Sequence, residues 1–227
     1  MNDELKEQLL PFESLDEASE FIRDNCGLYI SMNLQAIGDE RLTALLNLPN
    51  VFAYADGIGA QFFWKHKFNV LAAKIPGCEL WLRLLALEDK QCNLAVIGAS
   101  QEANSITVDK LKQDYPQHNV RYSVDGYTLD EELLLSKISS ISLDYVFIAL
   151  GQPKQELLAM KILEINPNLK ILGLGGSFDV YAGLSKRAPE VFVRLKIEWL
   201  YRIIKQPKRS SKLLTSVYKY FLLLLRK

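Results

Sequence analysis

The sequence predicts an α/β fold in which a parallel sheet is flanked by helices. Three observations carry this prediction. Short apolar runs alternate with segments of helical period along most of the chain, the mark of strand–helix–strand units. Glycine, aspartate and asparagine gather just after those apolar runs, where such sheets place their loops. The chain has 227 residues and is 49% apolar, enough for one domain with a full core and too apolar for disorder.

The strands read from these runs are Leu28–Ser31, Val51–Ala55, Leu94–Ile97, Val120–Ser123, Tyr145–Ala149 and Ile171–Leu174. Each is rich in β-branched, aromatic or aliphatic residues and is closed by a glycine or polar turn. The helices are Leu15–Asp24, Glu40–Leu46, Ile58–His66, Glu79–Glu88, Glu102–Asp114, Asp130–Ile138, Lys154–Ile165 and Pro189–Lys205. Strands joined through helices pair in parallel. No repeat or low-complexity linker divides the chain, and the sequence splits into a core of residues 1–205 and an appendage of 206–227.

Composition narrows the function classes. Cys26, Cys78 and Cys92 lie far apart with no paired spacing, against a disulfide framework or zinc site and in favour of a reducing cytoplasm. The first eleven residues are acidic and lack a basic-then-apolar export pattern. No apolar run reaches ~18 residues, so no membrane-spanning helix is expected. The net charge is zero, yet Trp199–Lys227 holds eight Lys/Arg and no Asp/Glu, leaving the rest with a net charge of about −8. After the break at Pro207, Lys212, Lys219 and Arg226 recur every seven residues. Leu214, Val217, Tyr218, Phe221, Leu222 and Leu225 fill the other side. A basic amphipathic end of this kind suits an anionic membrane surface better than nucleic acid. Packing on the core or on another subunit is the alternative, and nothing in the pattern specifies an oligomeric state.

In parallel sheets, ligands bind beyond the carboxyl ends of the strands. The residues there are Asn33; Asp56 to Gly59; Gly98 to Ser100; Asp125 to Tyr127; Gly151 to Glu156; and Gly175 to Asp179. Each loop alone reads equally as turn chemistry. Asp56, on a tight turn before Gly57, is either a base for deprotonating a hydroxyl or the N-cap of the next helix. Gln155 offers both donor and acceptor to a sugar hydroxyl or acetamido group, or belongs to a capped helix start. Lys74 is either a cation for phosphate or a solvated lysine. There is no Asp-x-Asp pair, and His66 and His118 lack partners at ligand spacing, so both read as surface residues and no metal site is expected. Gly173 to Gly176 lacks the third glycine of a dinucleotide loop and falls in the last strand–loop unit, which argues against an NAD-linked oxidoreductase.

Four stretches taken together resemble one family. They are Tyr54-Ala55-Asp56-Gly57-Ile58; Ala149-Leu150-Gly151-Gln152-Pro153-Lys154-Gln155-Glu156; Gly173 to Val180 with Ala182-Gly183 and Lys186-Arg187-Ala188-Pro189; and Glu198-Trp199-Leu200-Tyr201-Arg202 with Gln206-Pro207-Lys208-Arg209. In this order and spacing the chain, from about Ile30 to Lys212, is similar to the WecG/TagA/CpsF glycosyltransferases.

That resemblance implies a Rossmann-like core and inverting, metal-independent transfer without a cofactor. It also implies a UDP-sugar donor, with N-acetylmannosamine or its uronic acid foremost, and N-acetylglucosamine on a polyprenyl diphosphate as acceptor. Peripheral attachment to the inner face of the plasma membrane and a role in cell-surface polysaccharide assembly go with it. By the same resemblance Asp56 is the catalytic base. Ser31 and Asn33 match a Thr-x-Asn pair with Ser in place of Thr, and Lys74 stands where the family has Arg. Gln155 belongs to the Pro-Lys-Gln-Glu motif, and Arg202, Arg209 and Lys212 match a basic trio with Lys replacing the last Arg. Gly57, Gly151, Gln152, Gly175, Gly176, Asp179 and Arg187 complete the expected substrate-binding set. Another hexosyl donor, or a non-catalytic nucleotide-sugar binding protein, remains the competing reading.

Overall fold

Leu28, Ile30 and Met32 pack on one side of the sheet, and Tyr29 between them packs on the other. The same alternation runs through the neighbouring strands. Val146 and Ile148 face the first side, and Tyr145, Phe147 and Ala149 face the second. Strands this uniformly apolar bury both faces, so helices must cover both.

The structure, a computed structural model, describes residues 8–185. In chain order its elements are β1 (Leu9–Leu10), α1 (Leu15–Asp24), β2 (Gly27–Met32), α2 (Leu34–Ile37), α3 (Glu40–Leu45), β3 (Val51–Ala55), α4 (Ile58–Phe68), α5 (Gly77–Leu87) and β4 (Asn93–Gly98). Then follow α6 (Gln101–Asp114), β5 (Asn119–Val124), α7 (Glu131–Ser140), β6 (Tyr145–Ala149), α8 (Lys154–Ile165), β7 (Lys170–Gly173) and α9 (Ser177–Tyr181). All strand pairs are parallel and the order is β1-β3-β2-β7-β6-β4-β5, the expected Rossmann-like architecture. The expected helix Pro189–Lys205, the appendage 206–227 with its boundary, and Arg187, Arg202, Arg209 and Lys212 lie outside the described residues.

Helices α2, α3, α4, α7 and α8 cover one face through residues such as Leu42, Trp64, Ile138 and Ile162. Helices α1, α5, α6 and α9 cover the other through Ile22, Trp81, Leu111 and Phe178. Trp64 and Trp81 are fully buried, one in each layer. Each large apolar side chain buried this way contributes roughly 1.5–3 kcal/mol of transfer free energy.

The sheet register brings the ends of two strands level. Ser31 pairs with Tyr54 and Met32 with Ala55, and Asp56 N donates to Met32 O at 2.8 Å. The chain thus leaves β2 and β3 side by side. Strand order reverses between β6 and β4: from β6 the chain moves to β7 on one side, and from β4 to β5 on the other. A crevice forms at such a reversal.

His118 departs from expectation, being not a surface residue but 5% exposed. Its Nδ1 accepts from Cys92 N at 3.2 Å and its Nε2 lies 3.0 Å from Leu85 O. Two backbone groups of separate segments thereby hold the ring in place. His66 is exposed, as expected.

Candidate active site

The loops after β2, β3, β6 and β7 converge on one carboxylate. Asp56 follows the last residue of β3, and Ser31 Oγ donates to its Oδ2 at 2.9 Å. Asp56 does not hold the N-cap position of the helix that follows. The N-cap of α4 is Gly57, with φ of 120° and no side-chain cap bond. That φ lies where a β-carbon is disfavoured, and it turns the chain sharply after Asp56.

Three further groups crowd the carboxylate. Tyr54 is fully buried, and its hydroxyl is held far above its ordinary pKa by burial first and by the Asp56 charge second, so it stays neutral. The first turn of α5 abuts the same place. A methyl group added at Gly77 would stand 3.1 Å from Tyr54 Oη and 3.7 Å from Asp56 Oδ2. The N-terminus of α5 therefore lies against the carboxylate. Lys74 is carried in by its neighbours: Ile75 N donates to Ala55 O at 2.8 Å and Ala73 N to Phe12 O at 2.7 Å. These clips fix the Lys74 backbone beside the end of β3.

Asn33 closes the next side. Its Oδ1 caps α2 by accepting from Gln35 N and Ala36 N, and its Nδ2 donates to Gln152 Oε1 at 3.1 Å. Gln152 Nε2 donates back to Ser31 O at 2.8 Å and to Glu156 Oε1 at 3.2 Å. Gln152 therefore ties the β6 loop across β7 to the end of β2.

Beneath this layer lies Gln155, 1% exposed. Its Oε1 accepts from Gly151 N and Gly175 N, both at 3.0 Å, and its Nε2 donates to Glu156 Oε1 at 2.9 Å. The amide is committed to the protein, so Gln155 locks the β6 and β7 loops together. Glu156 is fully buried, and its Oε2 has no hydrogen-bond partner among the described residues. Burial raises its pKa above the usual 4.5, against the opposing amide donors. Nothing in the sequence motif distinguished this acid from an ordinary first-turn glutamate.

Above the network the floor is open. Among the described residues, no heavy atom lies within 4 Å of where a β-carbon would stand at Gly57, Gly151, Gly175 or Gly176. Gly175, at φ 53°, and Gly176 leave room for a ligand to approach the main chain after β7. Asp179, by contrast, sits in α9 on the layer of α5 and α6, and no bond of this network includes it. Of the expected site residues, Ser31, Asn33, Asp56, Gly57, Lys74, Gly151, Gln152, Gln155, Gly175 and Gly176 thus come together at the ends of β2, β3, β6 and β7.

The other end of the edge is built from backbone. Asn104 Nδ2 donates to Val96 O, Gly98 O and Val124 O, which fixes the ends of β4 and β5. Ala99 adopts φ of 59°, rare for a residue with a β-carbon, in the loop bordering the crevice. Among the described residues, no three His, Cys, Asp or Glu stand where they could hold a metal ion.

Comparison with known proteins identifies relatives of the chain. The chain is 34% identical over 206 residues to an N-acetylglucosaminyldiphosphoundecaprenol N-acetyl-beta-D-mannosaminyltransferase of Bacillus spizizenii strain W23, covering 88% of this chain and 79% of that protein. It is 35% identical over 192 residues to a protein of the same name from Bacillus subtilis strain 168, covering 84% and 74%. Residues 11–227 match a single family description, and the chain belongs to that family, the glycosyl transferase WecG/TagA/CpsF family.

Proposed function

We propose that this protein transfers N-acetylmannosamine, with inversion, from a UDP donor to N-acetylglucosamine on a polyprenyl diphosphate. The observation that carries this reading is the Asp56 carboxylate, oriented by Ser31 at the open end of the sheet. In the proposed reaction, Asp56 takes the proton from the acceptor hydroxyl as its oxygen attacks the anomeric carbon. The bond from that carbon to the diphosphate oxygen breaks, and UDP leaves with the electron pair. The Ser31 donor occupies one lone pair of Oδ2 and aims the rest.

The departing diphosphate gains charge. Lys74, its backbone fixed beside the end of β3, is the described candidate to meet that charge, and Arg187, Arg202, Arg209 and Lys212 are the further candidates. Gly151, Gly175 and Gly176 offer main-chain surface to the donor. In this reading Asp179 contacts the donor from α9, and Gln152 and Asn33 border the sugar. The transfer needs no metal, and the protein works at the inner face of the plasma membrane in cell-surface polysaccharide assembly. The basic end of residues 206–227 is the proposed anchor.

The test is direct. Full-length protein is incubated with UDP-N-acetylmannosamine and a short-chain lipid diphosphate bearing N-acetylglucosamine, with and without excess EDTA. The expected product is a disaccharide lipid of inverted anomeric configuration, formed at the same rate under both conditions. A retained anomer, or a rate lost to EDTA and restored by magnesium or manganese, contradicts the mechanism. Faster turnover of another UDP-sugar corrects the donor alone.

A further inference from the structure

Helix α4 is apolar on both sides. Ala60, Phe63 and Trp64 face the core, yet Ile58 is 42% and Phe62 56% exposed on the opposite side, one turn apart. After the helix the chain folds back along it: Val70 N donates to Trp64 O, and Gln61 Nε2 to Ala72 O at 2.7 Å. Between those clips Leu71 is 71% exposed. Apolar residues on the solvent side of a helix, in addition to those on its core side, suit a second burying partner.

Charge indicates which partner. From Gly57 to Cys78 the chain holds Lys65, His66, Lys67 and Lys74 and no Asp or Glu. Lys65 and His66 are exposed, and the His66 ring lies parallel to Phe62 with centroids 6.0 Å apart. Two other exposed apolar residues have a different setting: Leu133 follows Glu131 and Glu132, and Ile165 follows Glu164. Aromatic and aliphatic side chains mixed with cations and free of carboxylates match an anionic lipid interface.

We propose that the outer face of α4, with the returning segment through Leu71, seats on an anionic bilayer surface as a membrane contact separate from the C-terminal appendage. The proposal rests on the reading that the acceptor is lipid-linked, and it deepens that reading by fixing which face meets the lipid. Gly57 both caps α4 and follows Asp56. Seating α4 at the interface therefore sets the mouth of the site where a lipid-borne diphosphate emerges from the bilayer.

The experiment is flotation of the full chain with vesicles of phosphatidylcholine alone and of phosphatidylcholine with phosphatidylglycerol. It compares wild type, the double variant Phe62→Ser with Leu71→Ser, and Lys65→Gln, with melting curves to confirm folding. The double variant is expected to lose about tenfold or more in partitioning, for two apolar side chains left in water. Lys65→Gln should lose about fivefold of the preference for anionic vesicles, the share of one cation at such a surface. Transfer to a soluble short-chain acceptor should be unchanged in both.

A double variant that floats like wild type overturns the proposal. So does a double variant that merely turns an oligomer into a monomer, since that identifies the face as a subunit contact. Vesicle binding is read without turnover. Failure to transfer to any lipid-linked sugar would thus count against the proposed function, and failure to lose flotation against this surface.

Discussion

The two ends of the sheet edge carry similar residues and use them differently. At the ends of β2, β3, β6 and β7, polar side chains reach far across the sequence. Asn33 meets Gln152 across 119 residues, Gln152 meets Ser31 across 121, and Ser31 meets Asp56 across 25. At β4 and β5 the bonds are closer in sequence. Asp125 accepts from Tyr127 N and Thr128 N, two and three residues on, and Asn104 reaches no further than 20 residues. Local bonds finish a turn, whereas long-range bonds position side chains from separate strands around a common open space. The same Asp-Gly step is therefore held by long-range bonds at Asp56-Gly57, the proposed site, and by local ones at Asp125-Gly126.

The contrast can be broken by substitution. The largest effect is expected for Asp56→Asn, which keeps a polar group of the same size but removes the base. Transfer should fall about 10²–10⁴-fold with the melting temperature nearly unchanged. Next comes Gln152→Ala, which leaves Asn33 Nδ2 and Ser31 O without their long-range partner. It should cost about 1–3 kcal/mol in chemical denaturation and lower transfer about tenfold, because the β2 and β6 loops lose their common link. Asn104→Ala should cost a similar 1–3 kcal/mol of stability while transfer at low temperature stays within about twofold. Equal losses of activity at Gln152 and Asn104 would erase the distinction between the two ends.

Glu156 sharpens the comparison through pH. Its folded pKa lies above its ordinary 4.5, so the folded state holds the proton more tightly than the unfolded chain does. Stability from this group is fully present below about 4.5 and is lost as pH rises through the folded value. Glu156→Gln keeps a carbonyl acceptor for Gln155 and cannot ionise. The stability of Glu156→Gln relative to wild type should thus increase with pH above 4.5, and a pH-independent difference would contradict the assignment.

Much of the fold was legible in the sequence. Val51–Ala55, Tyr145–Ala149, Leu15–Asp24 and Lys154–Ile165 coincide with their elements, because apolar runs or helical periods end there at capping or turn residues. The two-residue β1 and the short α2 and α9 are too brief to show a period. Leu174 falls just outside β7, its N still donating to Ile148 O, and the chain turns after it at Gly175. At the site, only the backbone shows that Gly57, not Asp56, takes the N-cap position of α4. Glu156 carried a signal in its helical phase, though not in its motif. Ala159 and Ile162 are on the buried face of α8, and four and three residues before Ala159 come Gln155 and Glu156. That phase alone placed both side chains inside. His118 had no such marker, since its partners are main-chain groups of distant segments.

If one half of the edge does chemistry and the other half serves as scaffold, their two Asp-Gly steps must respond differently to the same substitution. The most direct test places Asp56→Asn beside Asp125→Asn in one assay, with UDP affinity measured by calorimetry and transfer by single-turnover kinetics on a soluble short-chain acceptor. The division of the edge predicts UDP affinity close to wild type in both variants, transfer nearly abolished in Asp56→Asn, and transfer unchanged in Asp125→Asn. Near wild-type transfer by Asp56→Asn, or equal loss in the two variants, would contradict it.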